Sequence, residues 1–135
     1  MVFLTRKEHF NAAHRLSNPK WTDEQNEKVF GKCANKNWHG HNYELYVTVK
    51  GEPDPDTGFI VNVHELSQII IKHITDKLDH KNLNLDVAFM KGILPSAEHL
   101  AKGIWKQLEP HIKGCKLHSI KLYETESIFV EYFGD

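Results

Sequence analysis

The stretch from Cys33 to His41 constrains this chain more than any other. It holds one of the two cysteines and two of the ten histidines, and only Gly40 separates His39 from His41. Side chains of a β-strand alternate between its faces, so both imidazoles leave the same face if a strand begins here. Two imidazoles side by side on a sheet are a ready pair of metal ligands.

The residues on either side predict two strands joined by a long loop. From His41 to Gly51, apolar and polar side chains alternate, which is typical of a strand with one buried face. Residues 2–14 predict an earlier strand, and Phe10, Ala12 and His14 share one of its faces. Residues 17–37 show no periodicity and predict a long ordered loop.

Two helices and two further strands follow. Asn62 is a good N-cap with Glu65 three residues on, and apolar residues then recur at helical spacing over residues 63–78. Pro95 and Ser96 begin a second helix. The final strands are predicted over residues 117–125 and 128–132.

The element order is therefore ββααββ, which predicts an α+β fold. Two helices covering one face of a four-stranded antiparallel sheet is the economical packing of these elements. A chain of 135 residues suits one hydrophobic core, so we expect a single domain over residues 1–135.

Composition excludes several classes of protein. The formal net charge is −1 and no basic stripe is present, so nucleic acid is not an expected partner. No apolar run approaches the roughly 20 residues of a membrane span, and the N-terminus becomes polar too early for a signal peptide. Cys33 and Cys115 do not form a disulfide framework. We expect a cytoplasmic protein without a membrane partner, and an inert Cys115.

His14 is the natural third metal ligand, because antiparallel pairing of the first two strands brings it beside His39 and His41. Three histidines leave one coordination position open, which is the pattern of catalytic zinc. Zinc suits three neutral imidazoles, although copper or iron would also accept them. A structural site that adds Cys33 as a fourth ligand is the competing metal hypothesis, and surface histidines at a strand end are the alternative without metal.

Cys33 is a candidate base or nucleophile, because a thiol near a cation ionises more readily. An inert buried cysteine is the alternative. Asp79 and His80 follow the first predicted helix and could offer a carboxylate and an imidazole to a third group. Adjacent residues rarely bond each other, and a histidine at a helix C-terminus is also an ordinary cap. The residues alone do not bring this pair to Cys33.

Three polar side chains in the last third of the chain complete the candidates. Glu124 shares the parity of apolar Ile120 and Leu122, and an inward carboxylate requires a partner. A ligand with two parallel N–H groups would satisfy it, and so would a buried Lys or Arg. Ser96 and Glu98 begin a helix, where a capping serine and a first-turn glutamate are common.

Taken together, these segments resemble the 6-pyruvoyl tetrahydropterin synthase family from Phe10 to nearly the end of the chain. The segments that carry the resemblance are Phe-Asn-Ala-Ala-His14-Arg-Leu, Val-Phe-Gly-Lys-Cys33, His39-Gly-His41-Asn-Tyr, Leu-Asp79-His80-Lys-Asn-Leu, Pro-Ser96-Ala-Glu98 and Tyr-Glu124-Thr125. Ser96 stands where the family commonly has threonine, and Trp38 directly precedes the first ligand of the histidine pair.

The resemblance implies the tunnelling fold (T-fold), in which trimers join their sheets into a barrel and two trimers stack as a homohexamer with active sites between subunits. It implies conversion of 7,8-dihydroneopterin triphosphate to 6-pyruvoyl tetrahydropterin with loss of triphosphate, in tetrahydrobiopterin biosynthesis. Zn²⁺ on His14, His39 and His41 would act as a Lewis acid. By the same resemblance, Cys33 would be the general base and Asp79 and His80 a proton relay. Glu124 would bind the pterin, assisted by Ser96 and Glu98.

Two rivals share this fold. The first is 6-carboxy-tetrahydropterin synthase, whose cysteine typically lies closer to its His-Gly-His segment, whereas five residues separate Cys33 from His39 here. The second is a noncatalytic zinc-binding protein, which would need neither Cys33 nor Asp79, His80 and Glu124.

Overall fold

The computed structural model describes residues 1–135 and contains one five-stranded mixed sheet. The strands are β1 (Val2–His14), β2 (His39–Gly51), β3 (Lys81–Asn82), β4 (Lys116–Thr125) and β5 (Ile128–Tyr132). Their order across the sheet is β3-β1-β2-β4-β5, and every neighbouring pair is antiparallel except β3 with β1. The four long strands agree with the prediction to within two residues at each end.

Three helices accompany the sheet. These are α1 (Asp23–Phe30), α2 (Val63–Ile70) and α3 (Ala97–Leu108), and α2 continues through a π-turn (Ile71–Thr75) into a last helical turn (Asp76–Leu78). The predicted caps are present, since the Asn62 side chain accepts hydrogen bonds from the backbone N–H groups of His64 and Glu65. Short 3₁₀ turns span Gly31–Ala34, Ala88–Met90 and Glu109–His111.

The prediction of a four-stranded antiparallel sheet with two helices was wrong in two respects. Helix α1 lies inside the segment predicted as a loop, and only Asn26 of its residues is buried, so it carries no apolar stripe for periodicity to detect. The Asn26 side chain instead bonds the backbone N–H and carbonyl of Asn18. Strand β3 has two residues, too few for a pattern, and the sheet is mixed because β3 is parallel to β1.

A single cluster of 22 buried apolar residues lies between the sheet and helices α2 and α3. The predicted alternation of β2 is confirmed, because the side chains Tyr43, Leu45, Val47 and Val49 are all fully buried. Each such side chain contributes about 1.5–3 kcal/mol through removal from water. Because this burial holds β1 and β2 in one register, it also determines which polar side chains meet at the end of the two strands. None of the helices has the length and apolar character needed to cross a membrane.

Candidate metal centre and active site

Three histidines meet where β1 ends and β2 begins. In the register of the two strands His14 lies opposite His39, and His41 lies opposite Ala12. The three rings have centroids 4.5–5.0 Å apart, and one potential ligand nitrogen from each ring lies within 4.8 Å of the other two. The structure therefore brings together the three residues that the sequence singled out as metal ligands.

The hydrogen bonds of this cluster leave its ligand atoms free. His14 Nδ1 lies 2.8 Å from the Pro95 carbonyl oxygen, which can only accept, so this nitrogen carries the hydrogen. His14 Nε2 is then a free acceptor. It is buried without a hydrogen-bond partner, as are His41 Nε2 and both ring nitrogens of His39. Buried nitrogens without partners are costly, and a metal ion held by all three rings would satisfy one on each.

Burial also keeps the three imidazoles neutral. It lowers the pKa of His14, His39 and His41, and burial is the largest cause in each case. The Glu124 carboxylate opposes this lowering of the pKa at all three rings without overcoming it. Neutral imidazole is the form that binds a metal, so the donor set fits zinc.

Cys33 lies in the 3₁₀ turn Gly31–Ala34 and is half-buried. The Leu16 backbone N–H, two residues beyond His14, donates to the Cys33 carbonyl at 2.8 Å and so ties this turn to the end of β1. The group of mutually close ligand atoms consists of the three histidines and does not include the Cys33 thiol. This arrangement favours an open three-histidine site over the Cys-His₃ alternative.

Asp79 and His80 lie beside β1 at the β3 edge of the sheet. The Asn11 backbone N–H donates to Asp79 Oδ1 at 2.9 Å, and the His80 N–H donates to the Asn11 carbonyl at 2.7 Å. The first of these bonds is the main cause that lowers the pKa of the Asp79 carboxyl. Contrary to expectation, the adjacent side chains do meet: His80 Nδ1 lies 3.0 Å from Asp79 Oδ2. The left-handed backbone of His80, at φ 61°, departs from the extended or helical conformations in which neighbouring side chains diverge.

Glu124 faces the histidine cluster. Its side chain is 17% exposed, and Oε1 lies 3.5 Å from His41 Nε2. The predicted inward parity is confirmed, although the alternative of a buried Lys or Arg partner is not, because the only basic side chain within 4.0 Å of the carboxylate is His41, whose pKa is lowered by burial. A register irregularity between β4 and β5 falls at this residue, and such bulges re-aim side chains.

Ser96 and Glu98 occupy the first turn of α3. The Ser96 side chain caps the helix by accepting from the His99 N–H at 3.2 Å, and the Glu98 side chain is exposed. Both residues thus have the ordinary helix-terminal positions that the sequence allowed as an alternative. The same helix start lies close to the metal centre, since Pro95 bonds His14.

His41 lies between two open cavities. One, of about 490 Å³, is also lined by Gly40, Asn11 and His80, and the other, of about 410 Å³, by Gly40, Tyr123 and Glu124. Gly40, next to this ligand in the chain, lines both cavities. One cavity thus contains His80 and the other contains Glu124, and both border the candidate metal ligand His41.

Two residues of the site were not expected from the sequence. The Pro95 carbonyl orients His14, but a backbone acceptor carries no sequence signature. The Tyr43 hydroxyl lies 3.5 Å from His14 Nδ1, and burial raises the pKa of this phenol. The sequence contained a signal for Tyr43, because residues 39, 41 and 43 of β2 alternate onto the same face of the strand.

Comparisons with known proteins identify the family of this chain. The model of the family "6-pyruvoyl tetrahydropterin synthase" matches residues 3–135. A 6-pyruvoyl tetrahydrobiopterin synthase of Dictyostelium discoideum is 46% identical and covers 99% of this chain and 97% of its own. The solved 6-pyruvoyl tetrahydropterin synthase of Caenorhabditis elegans superposes with a TM-score of 0.93 at 34% identity, covering 99% and 96% of the two chains.

The chain is also similar, at lower identity, to an enzyme with a different activity in its name. A 6-carboxy-5,6,7,8-tetrahydropterin synthase of Haemophilus influenzae is 28% identical and covers 76% of this chain and 84% of its own. Sequence identity and coverage of this chain are both higher for the Dictyostelium discoideum enzyme. The chain belongs to the 6-pyruvoyl tetrahydropterin synthase family.

Proposed function

We propose that this protein is a zinc-dependent lyase. It converts 7,8-dihydroneopterin 3′-triphosphate to 6-pyruvoyl-5,6,7,8-tetrahydropterin and triphosphate, a step of tetrahydrobiopterin biosynthesis. The observation that carries the proposal is the cluster of one buried and two half-buried histidines, each with a buried ring nitrogen that has no hydrogen-bond partner, in a chain of this family. The two free cysteines, Cys33 and Cys115, fit a reducing compartment such as the cytoplasm.

His14, His39 and His41 would hold the zinc, and a set of three protein ligands is the pattern of a catalytic zinc site. When bound, zinc supplies Lewis-acid polarisation of the substrate side chain. The Pro95 carbonyl keeps the hydrogen of His14 on Nδ1, which leaves Nε2 available as the ligand atom.

Cys33 acts as the general base that removes protons from the substrate side chain. The bond from the Leu16 N–H to the Cys33 carbonyl supports this role, because it fixes the turn beside the strand that ends in His14. Asp79 and His80 relay the other protons. Asp79 is held as a carboxylate by the Asn11 N–H and lies 3.0 Å from the His80 ring, so it can stabilise the imidazolium when His80 takes up a proton.

Glu124 anchors the pterin. Its half-buried carboxylate has no Lys or Arg partner and borders a cavity of about 410 Å³, which leaves it able to accept from a ring N–H and an exocyclic amine together. Ser96 and Glu98 assist from the start of α3. Thr125 and Tyr123 line the same cavity beside Glu124.

The protein assembles as a homohexamer of two trimers with active sites between subunits. Both edges of the sheet support this arrangement. Strand β3 pairs only with residues 12 and 13 of β1, so most of β1 has no partner on that side. At the opposite edge β5 exposes Ile128 and Phe129. Unpaired edges with apolar side chains favour association with another strand, and a neighbouring sheet at the β3 edge would lie beside Asp79 and His80.

The decisive experiment is incubation of the purified zinc-loaded protein with 7,8-dihydroneopterin triphosphate, with the products identified by mass. We expect triphosphate and the 6-pyruvoyl product, and we expect a chelator to abolish turnover and added zinc to restore it. Release of acetaldehyde with a carboxy-pterin would select the rival enzyme. Binding of zinc and substrate without any product would indicate the noncatalytic alternative.

A further inference from the structure

Arg15 connects the metal-binding strand to the turn that carries Cys33. Its Nε donates to the Ala34 carbonyl at 2.9 Å, in a half-buried position. The next residue, Leu16, donates its backbone N–H to the Cys33 carbonyl at 2.8 Å. Two consecutive residues after His14 therefore hold two consecutive carbonyls of the turn, and only one of these bonds depends on a side chain.

The backbone of Arg15 is itself held in place by Asn84. The Arg15 N–H donates to Asn84 Oδ1 at 2.9 Å, and Asn84 Nδ2 donates to the Arg15 carbonyl at 3.0 Å. The amide of Asn84 thus pairs with Arg15 as a neighbouring strand would, just beyond the last residue of β1. Because these two bonds fix the backbone of Arg15, its side chain approaches the turn from a defined position.

The guanidinium of Arg15 has no carboxylate partner. Asp23 and Glu27 line the cavity of about 230 Å³ beside it, yet neither forms an ion pair with Arg15. Its hydrogen bond in the structure goes to a neutral carbonyl, and a charged donor makes such a bond stronger than a neutral donor would. The Arg15 guanidinium therefore bonds the backbone of the turn that carries Cys33 and forms no ion pair.

We infer that Arg15 is a positioning residue that sets the place of Cys33 relative to the three metal ligands. The inference rests on the proposed role of Cys33 as the base. A base must lie within hydrogen-bond reach of the proton that it removes, and a shift of about 1 Å can cost about 100-fold in rate. Removing the Nε–carbonyl bond loosens the turn on one side while the Leu16–Cys33 bond and the three histidines remain.

The test compares Arg15→Met with Arg6→Met in a Cys115→Ser background, so that Cys33 is the only thiol. Arg6 is the other arginine of the chain and lies exposed on β1, where it pairs with Glu8. For Arg15→Met we expect full zinc content, a kcat about 10- to 100-fold lower, a nearly unchanged KM and faster alkylation of Cys33 by iodoacetamide. Added guanidinium should restore part of kcat, and Arg6→Met should match the parent protein.

Wild-type kcat and an unchanged alkylation rate in Arg15→Met would overturn the inference, and so would loss of zinc, since Arg15 would then support the ligand strand instead. If Arg15→Met does not fold, Arg15→Lys is measured in its place, and a normal kcat in that variant also counts against the inference. Alkylation rate and zinc content need no substrate, so they test Arg15 even if the proposed lyase activity itself is not found.

Discussion

The three-histidine cluster and the Asp79–His80 pair both lie near the end of β1, yet the protein holds them in different ways. His14 is fully buried, and strand register places it opposite His39. The side chains of Asp79 and His80 are 42% and 79% exposed and are attached through the backbone of Asn11. One chain therefore supplies the whole three-histidine cluster, whereas the proposed acid–base pair faces outward at a sheet edge where another surface can approach.

Removing one histidine of the three-histidine cluster should have the largest effect, on both zinc binding and turnover. Loss of an outer partner of a ligand costs about 10- to 100-fold in metal affinity, so loss of a ligand should cost at least about 100-fold. We expect His39→Ala to lose zinc on dialysis and all measurable turnover, as read by metal analysis and product formation. His64→Ala is the matched control, because His64 is exposed in the first turn of α2. Zinc retained at wild-type affinity would remove the cluster from the mechanism.

Mixing two inactive variants tests whether the exposed Asp79–His80 pair works together with Cys33 of another subunit. Cys33→Ala and Asp79→Asn should each keep zinc and lose about 10²- to 10⁴-fold in kcat. If each active site takes these residues from different subunits, co-refolded chains recover roughly one functional site in four by random assembly. Mixtures of each variant with itself are the controls. A mixture as inactive as its components, with mixed oligomers verified by mass, would contradict sites shared in this way.

The smallest expected effect is on stability. Burial lowers the pKa of His14, His39 and His41 below the usual 6.5, so the unfolded chain binds more protons than the folded chain as pH falls below about 6.5. The free energy of unfolding of chelator-treated protein should therefore decrease with falling pH in that window and level off above it. Urea denaturation at a series of pH values measures this. His39→Gln should flatten the dependence, and a stability independent of pH from about 5 to 7 would speak against neutral buried imidazoles.

The sequence was sufficient to predict the strands and helices whose apolar residues recur with a clear period. Strand β2 has an unbroken alternation, and α3 has a capping serine and an apolar face, so both were predicted closely. Helix α1 was missed because a polar side-chain bond from Asn26 to Asn18 holds it in place of an apolar stripe. Strand β3 was missed because its two residues pair only through backbone contacts to a distant segment.

Among the site residues, parity alone placed His14, His39, His41 and Glu124 on one side of the sheet, because the period of a strand is two wherever the strand lies. The sequence also predicted the antiparallel pairing that brings His14 beside His39, and the structure confirms it. It did not determine the Pro95 carbonyl that orients His14 or the Arg15 bond that holds the Cys33 turn. Those features join residues 19 to 81 positions apart, through backbone atoms that every residue carries. Only the folded chain brings them together, since hydrophobic burial of the strands and helices, rather than any local preference, decides which segments become neighbours.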